Sequence, residues 1–293
     1  MNRKNTSLFH IALLSLFVFM VFASGNRAFA QENTNKAKIN IHIEETKAIH
    51  KHRLKKLIDR LSGANTEEAQ TCKYESDIAL APPYKKVLLS FDDGPDPEHT
   101  PYILAVLEKH EVPATFFMIA EKMQAHPELV RLVQTSKYTV IGNHSWSHPN
   151  FHEIAVNEQL IEIEKSDAIV DKIVNEKFFR YPYGNSTCET NTLVKSLHYK
   201  IVGWHVDTCD WAFDHKGVVD LKEALSCGVL PQNRENFLGH ILDTVKERHG
   251  GIILMHEIHA NTIKQLDTLI GKLKEEGYDF GKITDEDFAP YLR

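Results

Sequence analysis

The chain has 293 residues, 42% hydrophobic and 25% charged, a composition that excludes a disordered, collagen-like or coiled-coil protein. Its 34 Lys and Arg against 40 Asp and Glu give a net charge of −6, which leaves no broad positive field for nucleic acid. The 17 histidines stand out, because imidazole is the commonest metal ligand and the usual proton carrier near neutral pH, and their spacing decides what they can do.

Arg3 and Lys4 precede an apolar run from Leu8 to Ala23, and Ala28-Phe29-Ala30 supplies the small-x-small pattern of a cleavage site. The run is shorter than the roughly 20 residues a spanning helix needs. Residues 1–30 are therefore expected to be a cleaved signal peptide, leaving no stable membrane span and a secreted or periplasmic mature protein that is more acidic without Arg3, Lys4 and Arg27. Cys72, Cys188, Cys209 and Cys227 all lie in the exported part, where disulfides persist; four cysteines allow three complete pairings, and the sequence does not choose among them.

Residues 31–83 read as an N-terminal extension with one helix, in which Leu54, Leu57, Ile58 and Leu61 recur at helical spacing before Gly63. No carboxylate is spaced to join His42, His50 and His52, so these belong on a solvated helix face. Pro82-Pro83 marks the boundary with a domain over residues 84–293.

In that domain β-rich runs alternate with helical patterns. Val87 to Phe91, Ala114 to Ile119, Tyr138 to Ile141, Phe178 to Arg180, Lys200 to Val206, Gly251 to His256 and Tyr278 to Ile283 read as seven strands. Thr100-Pro101 is expected to open a helix as N-cap and first-turn proline, Pro127 opens another, Val156 to Val174 forms a long one and Thr190 to His198 a fourth. Phe237, Leu238, Ile241, Leu242 and Val245 make one amphipathic stripe, and Ile263, Leu266, Leu269, Ile270 and Leu273 another. Repeated strand-then-helix units imply a parallel sheet covered by helices, open or closed as a barrel. Phe213 to Asn236 is long for a strand-to-helix connection, and a long loop there would shape substrate access.

In such folds chemistry sits at the carboxyl ends of the strands. The first strand ends in Ser90-Phe91-Asp92-Asp93-Gly94-Pro95, where strand alternation would send the two carboxylates in opposite directions and into different roles. The third ends in Asn143-His144-Ser145-Trp146-Ser147-His148, whose two histidines converge if the loop takes a helical turn; with one carboxylate they make a metal site with open positions. After the fourth comes Arg180-Tyr181-Pro182-Tyr183-Gly184, in which the arginine can hold a carboxylate ionised and the turn can aim a backbone N–H at an oxyanion. The fifth contributes Trp204-His205-Val206-Asp207-Thr208-Cys209-Asp210-Trp211 and the sixth Leu254-Met255-His256-Glu257. Asp210 orienting His256 would keep the imidazole protonated as a general acid.

These five clusters, in this order, resemble the five-motif signature of the NodB-like polysaccharide deacetylases, carbohydrate esterase family 4, over roughly Tyr84 to Ile283. The resemblance implies a distorted (β/α)7 barrel carrying a short N-terminal helical extension. It implies that Asp93, His144 and His148 hold a divalent metal, Zn²⁺, that Asp92 is the general base toward the attacking water, and that Arg180 holds Asp92 in place. It further implies that the Tyr183 backbone N–H meets the oxyanion, that His256 with Asp210 protonates the departing amine, and that Tyr183, Trp204 and Leu254 bind substrate. Glu257 stands where the family usually has Asp, and Cys209 is unusual within its motif; neither removes a catalytic group.

The substrate class implied is an N-acetylglucosamine polysaccharide. Peptidoglycan is favoured over chitin oligomers or acetylated xylan because the chain is exported and because Asn143-His144-Ser145 and Asn185-Ser186-Thr187 would invite obstructing glycans on a glycosylating route. The contrasting class is a catalytically inactive carbohydrate-binding relative, which would lack the base or the acid; both are present as Asp92 and His256.

Overall fold

The computed structural model describes residues 36–52, 55 and 72–293. The expected signal peptide and the stretch around Leu57, Ile58 and Leu61 lie outside the described residues. By its internal contacts the chain divides into a unit ending at Ala48 and a unit from Ile49 to Arg293. In the first, helix α1 (residues 36–52) begins; Ile39, Ile41 and Ile43 are exposed on it. No helix among the described residues is long and apolar enough to cross a membrane.

The second unit is built on β1 (Lys86–Gly94), β2 (Ala114–Met118), β3 (Thr139–Asn143), β4 (Phe178–Phe179), β5 (Lys200–Ile201), β6 (Val206–Asp207), β7 (Gly250–His256) and β8 (Asp279–Phe280). Their order is β5-β4-β3-β2-β1-β7-β6, every pair is parallel, and β8 pairs with the start of β1, below the point where β2 begins. Alternation along β1 sorts the core into two layers. Val87, Leu89 and Phe91 face the helices, whereas Leu88 joins Phe117, Phe178, Trp204, Ile252 and Leu254 in the barrel interior.

The helices that cover the sheet are α2 (His99–His110), α3 (Ala120–Ala125), α4 (Pro127–Thr135), α5 (Val156–Val170), α6 (Cys188–Ser196), α7 (Asp210–Lys216), α8 (Leu221–Cys227), α9 (Phe237–Arg248) and α10 (Ala260–Glu275). The stripes read from sequence on the last two are the buried faces: Phe237, Ile241 and Val245 on α9, Leu266, Leu269, Ile270 and Leu273 on α10. Each fully buried aliphatic side chain among them contributes about 1.5–3 kcal/mol of transfer free energy.

The expected fifth strand, Lys200 to Val206, is split. Its first half pairs with β4 and its second with β7, so residues 202–205 carry the chain from one sheet edge to the other. The gap is filled by the segment after Cys72: Trp204 N donates to Ser76 O at 3.1 Å and Ile78 N to Trp204 O at 2.7 Å. Gly203 permits this approach, because a Cβ there would lie 2.0 Å from Ser76 O.

Two other local expectations change. Helix α2 starts at His99, so Thr100 lies inside its first turn and Asp96 Oδ1 accepts the Glu98 and His99 N–H groups instead. The Phe213 to Asn236 stretch is not an open loop. It holds the end of α7, helix α8 and a 3₁₀ turn (Pro231–Asn233), and a Cys209–Cys227 disulfide ties it to the end of β6. The second disulfide joins Cys72 to Cys188 at the start of α6.

Candidate active site

The site lies at the carboxyl ends of β1, β3, β4, β6 and β7 and begins with a break in β1. Its register with β2 shifts between Asp92 and Gly94, and Asp93 has φ 74°, so one extra residue is accommodated in the strand. This overturns the expected divergence of the two acids. His144 Nε2 lies 3.6 Å from Asp92 Oδ2 and 3.5 Å from Asp93 Oδ1, and both carboxylates face one imidazole. They differ in their remaining partners: Asp92 meets Arg180, and Asp93 meets His148, whose Nε2 is 3.2 Å from Asp93 Oδ1.

The two histidines do not converge through a helical turn. Ser145 and His148 both take left-handed φ values, 68° and 63°, in a non-helical loop. Asn143 organises it: its Oδ1 accepts Ser145 N, while its amide donates to Ser166 Oγ and Tyr199 OH. Ser145 Oγ in turn accepts His148 N at 3.0 Å. Asn143 is fully buried, which leaves no acceptor amide for a glycan there.

Asp93, His144 and His148 form a possible metal site, with ligand atoms within 4.8 Å of one another. The residues fit a cation on three counts. Asp93 Oδ1 is buried and accepts no hydrogen bond. His144 Nδ1 donates to Arg180 O at 2.7 Å, which leaves its Nε2 lone pair toward Asp93. Burial, reinforced for His144 by the neighbouring His148, lowers the pKa of both imidazoles and keeps them neutral, as ligands must be.

Arg180 is wholly buried, and each of its three guanidinium nitrogens donates a hydrogen bond. Nη1 donates to Asp92 Oδ1 and to Ser90 Oγ, each at 2.8 Å, Nη2 to Gly203 O at 3.1 Å and Nε to Val202 O at 3.3 Å. Its guanidinium lies 4.1 Å from the centroid of the Phe117 ring. Burial raises the Asp92 pKa, and the Arg180 charge opposes that rise.

On the other side of Asp92 stands His256. Its Nδ1 is 2.7 Å from Asp210 Oδ1 and its backbone N donates to Asp210 Oδ2 at 2.7 Å. Trp211 N and Thr262 Oγ1 supply two further donors to Asp210. Burial opposes the imidazolium, but the adjacent Asp210 carboxylate outweighs it and raises the His256 pKa, while the same pairing lowers that of Asp210. Asp210, His256 and His259 also lie close enough to hold an ion, yet the Asp210 oxygens already accept four hydrogen bonds and His259 Nδ1 faces Asp214 at 3.2 Å. That cluster is a proton-holding pair with a neighbour, not a ligand set.

Trp204 and Leu254 are 6% and 4% exposed and belong to the barrel-interior cluster directly under the site, whereas Tyr183, at φ 58°, is 61% exposed with its ring 4.8 Å from that of His148. Glu257 is buried at the back. Thr100 Oγ1 donates to its Oε2 at 2.8 Å, Oε1 has no partner and abuts Gly94, and burial pushes its pKa up to about 8. Ser90 and Thr262 were not singled out by sequence reasoning. Ser90 lies within the strand-end motif of residues 90–95, but nothing local to α10 signals that Thr262 reaches Asp210.

A parallel barrel with an acid–imidazole metal cluster and a separate imidazole–carboxylate pair at its strand ends defines a class of hydrolase. The polysaccharide deacetylase family profile matches residues 80–202. A peptidoglycan-N-acetylglucosamine deacetylase of Bacillus cereus is 34% identical over 210 residues, covering 69% of this chain and 69% of that protein. The peptidoglycan-N-acetylglucosamine deacetylase PgdA of Listeria monocytogenes is 31% identical over 232 residues; the match covers 78% of this chain but only 45% of that longer protein. Among solved structures, the Bc1960 peptidoglycan N-acetylglucosamine deacetylase superposes with a TM-score of 0.56 at 31% identity, covering 71% of this chain and 90% of that one. A CE4 family pseudoenzyme from Bacillus anthracis superposes at 0.55 with 28% identity, covering 69% and 67%. The chain belongs to the polysaccharide deacetylase family, and its barrel is the (β/α)7 fold of that family.

Proposed function

We propose that this protein is a metal-dependent deacetylase that removes N-acetyl groups from N-acetylglucosamine in an exported bacterial polysaccharide, with peptidoglycan as substrate. The observation that carries the reading is that Asp92 lies between the Asp93, His144 and His148 cluster and the His256–Asp210 pair, the arrangement that amide hydrolysis needs. Because a structural neighbour of similar likeness is a pseudoenzyme, the fold alone does not argue activity. Activity is supported by the proposed base, Asp92, and the proposed acid, His256, both being present and partnered.

Asp93, His144 and His148 would hold the ion, which we take to be Zn²⁺ from the nitrogen-rich donor set with one carboxylate. When bound, such an ion polarises a carbonyl oxygen and acidifies water. Asp92 Oδ2 would accept the proton of the attacking water, and Arg180 on Oδ1 keeps that carboxylate oriented. The left-handed Tyr183 backbone would present its N–H to the carbonyl oxygen as charge develops there. His256, protonated because Asp210 holds it so, would give its proton to the departing amine, a poor leaving group until protonated. Trp204 and Leu254 would wall the space for the acetyl methyl.

The peptidoglycan assignment is supported by the relatives named for that substrate, which are all bacterial, and by the signal-like N-terminus. The test is acetate release from purified peptidoglycan and from chitin oligomers, with Zn²⁺, with chelator and with Asp92→Ala. Chelator-sensitive release from peptidoglycan that the substitution abolishes is expected. Release from chitin alone would discard the substrate and keep the chemistry, and binding without release would make the protein an inactive relative.

A further inference from the structure

Beside the site runs a segment that the reaction does not use. Cys72 to Glu75 lies antiparallel to the turn after Tyr183: Tyr74 is bridged to Asn185, Glu75 N donates to Gly184 O at 2.8 Å and Ser186 N donates to Lys73 O at 3.1 Å. Ser186 Oγ donates to Cys72 O at 2.7 Å, His152 Nε2 lies 2.9 Å from Lys73 O and 3.0 Å from Ser186 O, and the Cys72–Cys188 disulfide closes the end. Partners in an antiparallel pair project to the same side. Accordingly the Asn185 amide donates to Asn150 Oδ1 at 2.7 Å and the Tyr74 ring packs edgewise on His152 at 5.2 Å, both on the loop that leaves His148.

Despite this anchoring Tyr74 is 50% exposed. A large aromatic ring is thus held open to solvent on a cross-linked backbone. Its bridge partner, Asn185, is two residues beyond Tyr183, directly after the turn Pro182–Gly184. Lys73 Nζ lies 5.7 Å from the ring centroid, at the outer limit of a cation–π contact, where a ligand can replace it.

We propose that Tyr74 is a stacking platform for a pyranose ring of the glycan, next to the sugar that is deacetylated. The slightly positive C–H face of a pyranose complements the negative face of the phenol ring, and a ring already immobilised loses little freedom on binding. The inference rests on the deacetylase reading and adds a subsite that selects chains over single sugars.

The test compares wild type, Tyr74→Ala, Tyr74→Trp and Cys72→Ser on chitotetraose and on a single-sugar N-acetylglucosamine substrate, with chitotetraose binding measured separately by calorimetry. For Tyr74→Ala the tetraose-to-monosaccharide ratio of kcat/KM is expected to fall roughly fivefold to tenfold, through KM, with a matching rise in the tetraose Kd. Tyr74→Trp should restore both, and Cys72→Ser should reproduce part of the loss. Equal effects on both substrates, no change in the ratio, or a tetraose Kd that ignores Tyr74 would overturn the platform. Tyr74-dependent binding without acetate release from either chitotetraose or purified peptidoglycan would instead keep the platform and sink the deacetylase reading.

Discussion

Asp92 and His256 are register partners across β1 and β7, so the carboxylate and the imidazole stand side by side on the barrel's inner face. Each is held from behind by an opposite charge, Asp92 by Arg180 and His256 by Asp210. As the proposed base and acid on adjacent strands, they would act on one bond only if their protonation states differ, and the two supporting charges would set that difference.

The pH profile should report it. As the proposed acid His256 would act only while protonated, and Asp210 raises its pKa, so activity should persist through neutrality and fall as pH rises through that raised value. Asp210→Asn removes the raising charge. The alkaline limb should then move to lower pH and kcat should drop roughly 10- to 100-fold, measured as acetate release across pH 5 to 10. An alkaline limb that stays in place would dissociate the pair from the reaction.

Arg180→Ala should cost stability as well as activity. It leaves Asp92 buried without its cation and frees the partners of a wholly buried guanidinium, a loss of about 3–5 kcal/mol. Denaturant titration of wild type, Arg180→Ala and the double variant Arg180→Ala with Asp92→Ala separates the terms. The double variant should recover part of the stability, because the stranded carboxylate is gone.

His148→Ala should lower the bound metal, read by elemental analysis of the purified protein, and bring acetate release down to that of chelated wild type. The fold should survive, since His148 is at the rim while His144 is fully enclosed. Undiminished metal content would place the ion elsewhere.

Glu257 makes a prediction about stability alone. Its folded pKa, pushed up to about 8 by burial, lies above its unfolded value. The stability it contributes is complete below the unfolded pKa and is lost as pH rises through the folded one, by up to about 5 kcal/mol. The thermal midpoint of wild type should therefore fall between pH 5 and pH 8.5 by more than that of Glu257→Gln. Parallel curves for the two proteins would show that Glu257 does not titrate in this range.

Much of this architecture is written in local pattern. The continuous buried runs of β1 and β7, the stripes of α9 and α10 and the ordered polar clusters at strand ends are short-range features, and each side chain expected at the site is found at or directly beneath it. What the residues near one another in sequence determined was which groups the site contains. Their directions were decided by tertiary structure. The extra residue at Asp93 turns a carboxylate that alternation sends away back to His144, because the β1–β2 register must shift there. The fifth strand divides because one chain segment must satisfy hydrogen bonds on both barrel edges, with Ser76 and Ile78 filling the gap. Thr262 reaches Asp210 from 52 residues away, and Cys72 pairs with Cys188 across 116, contacts whose partners only the folded barrel brings together.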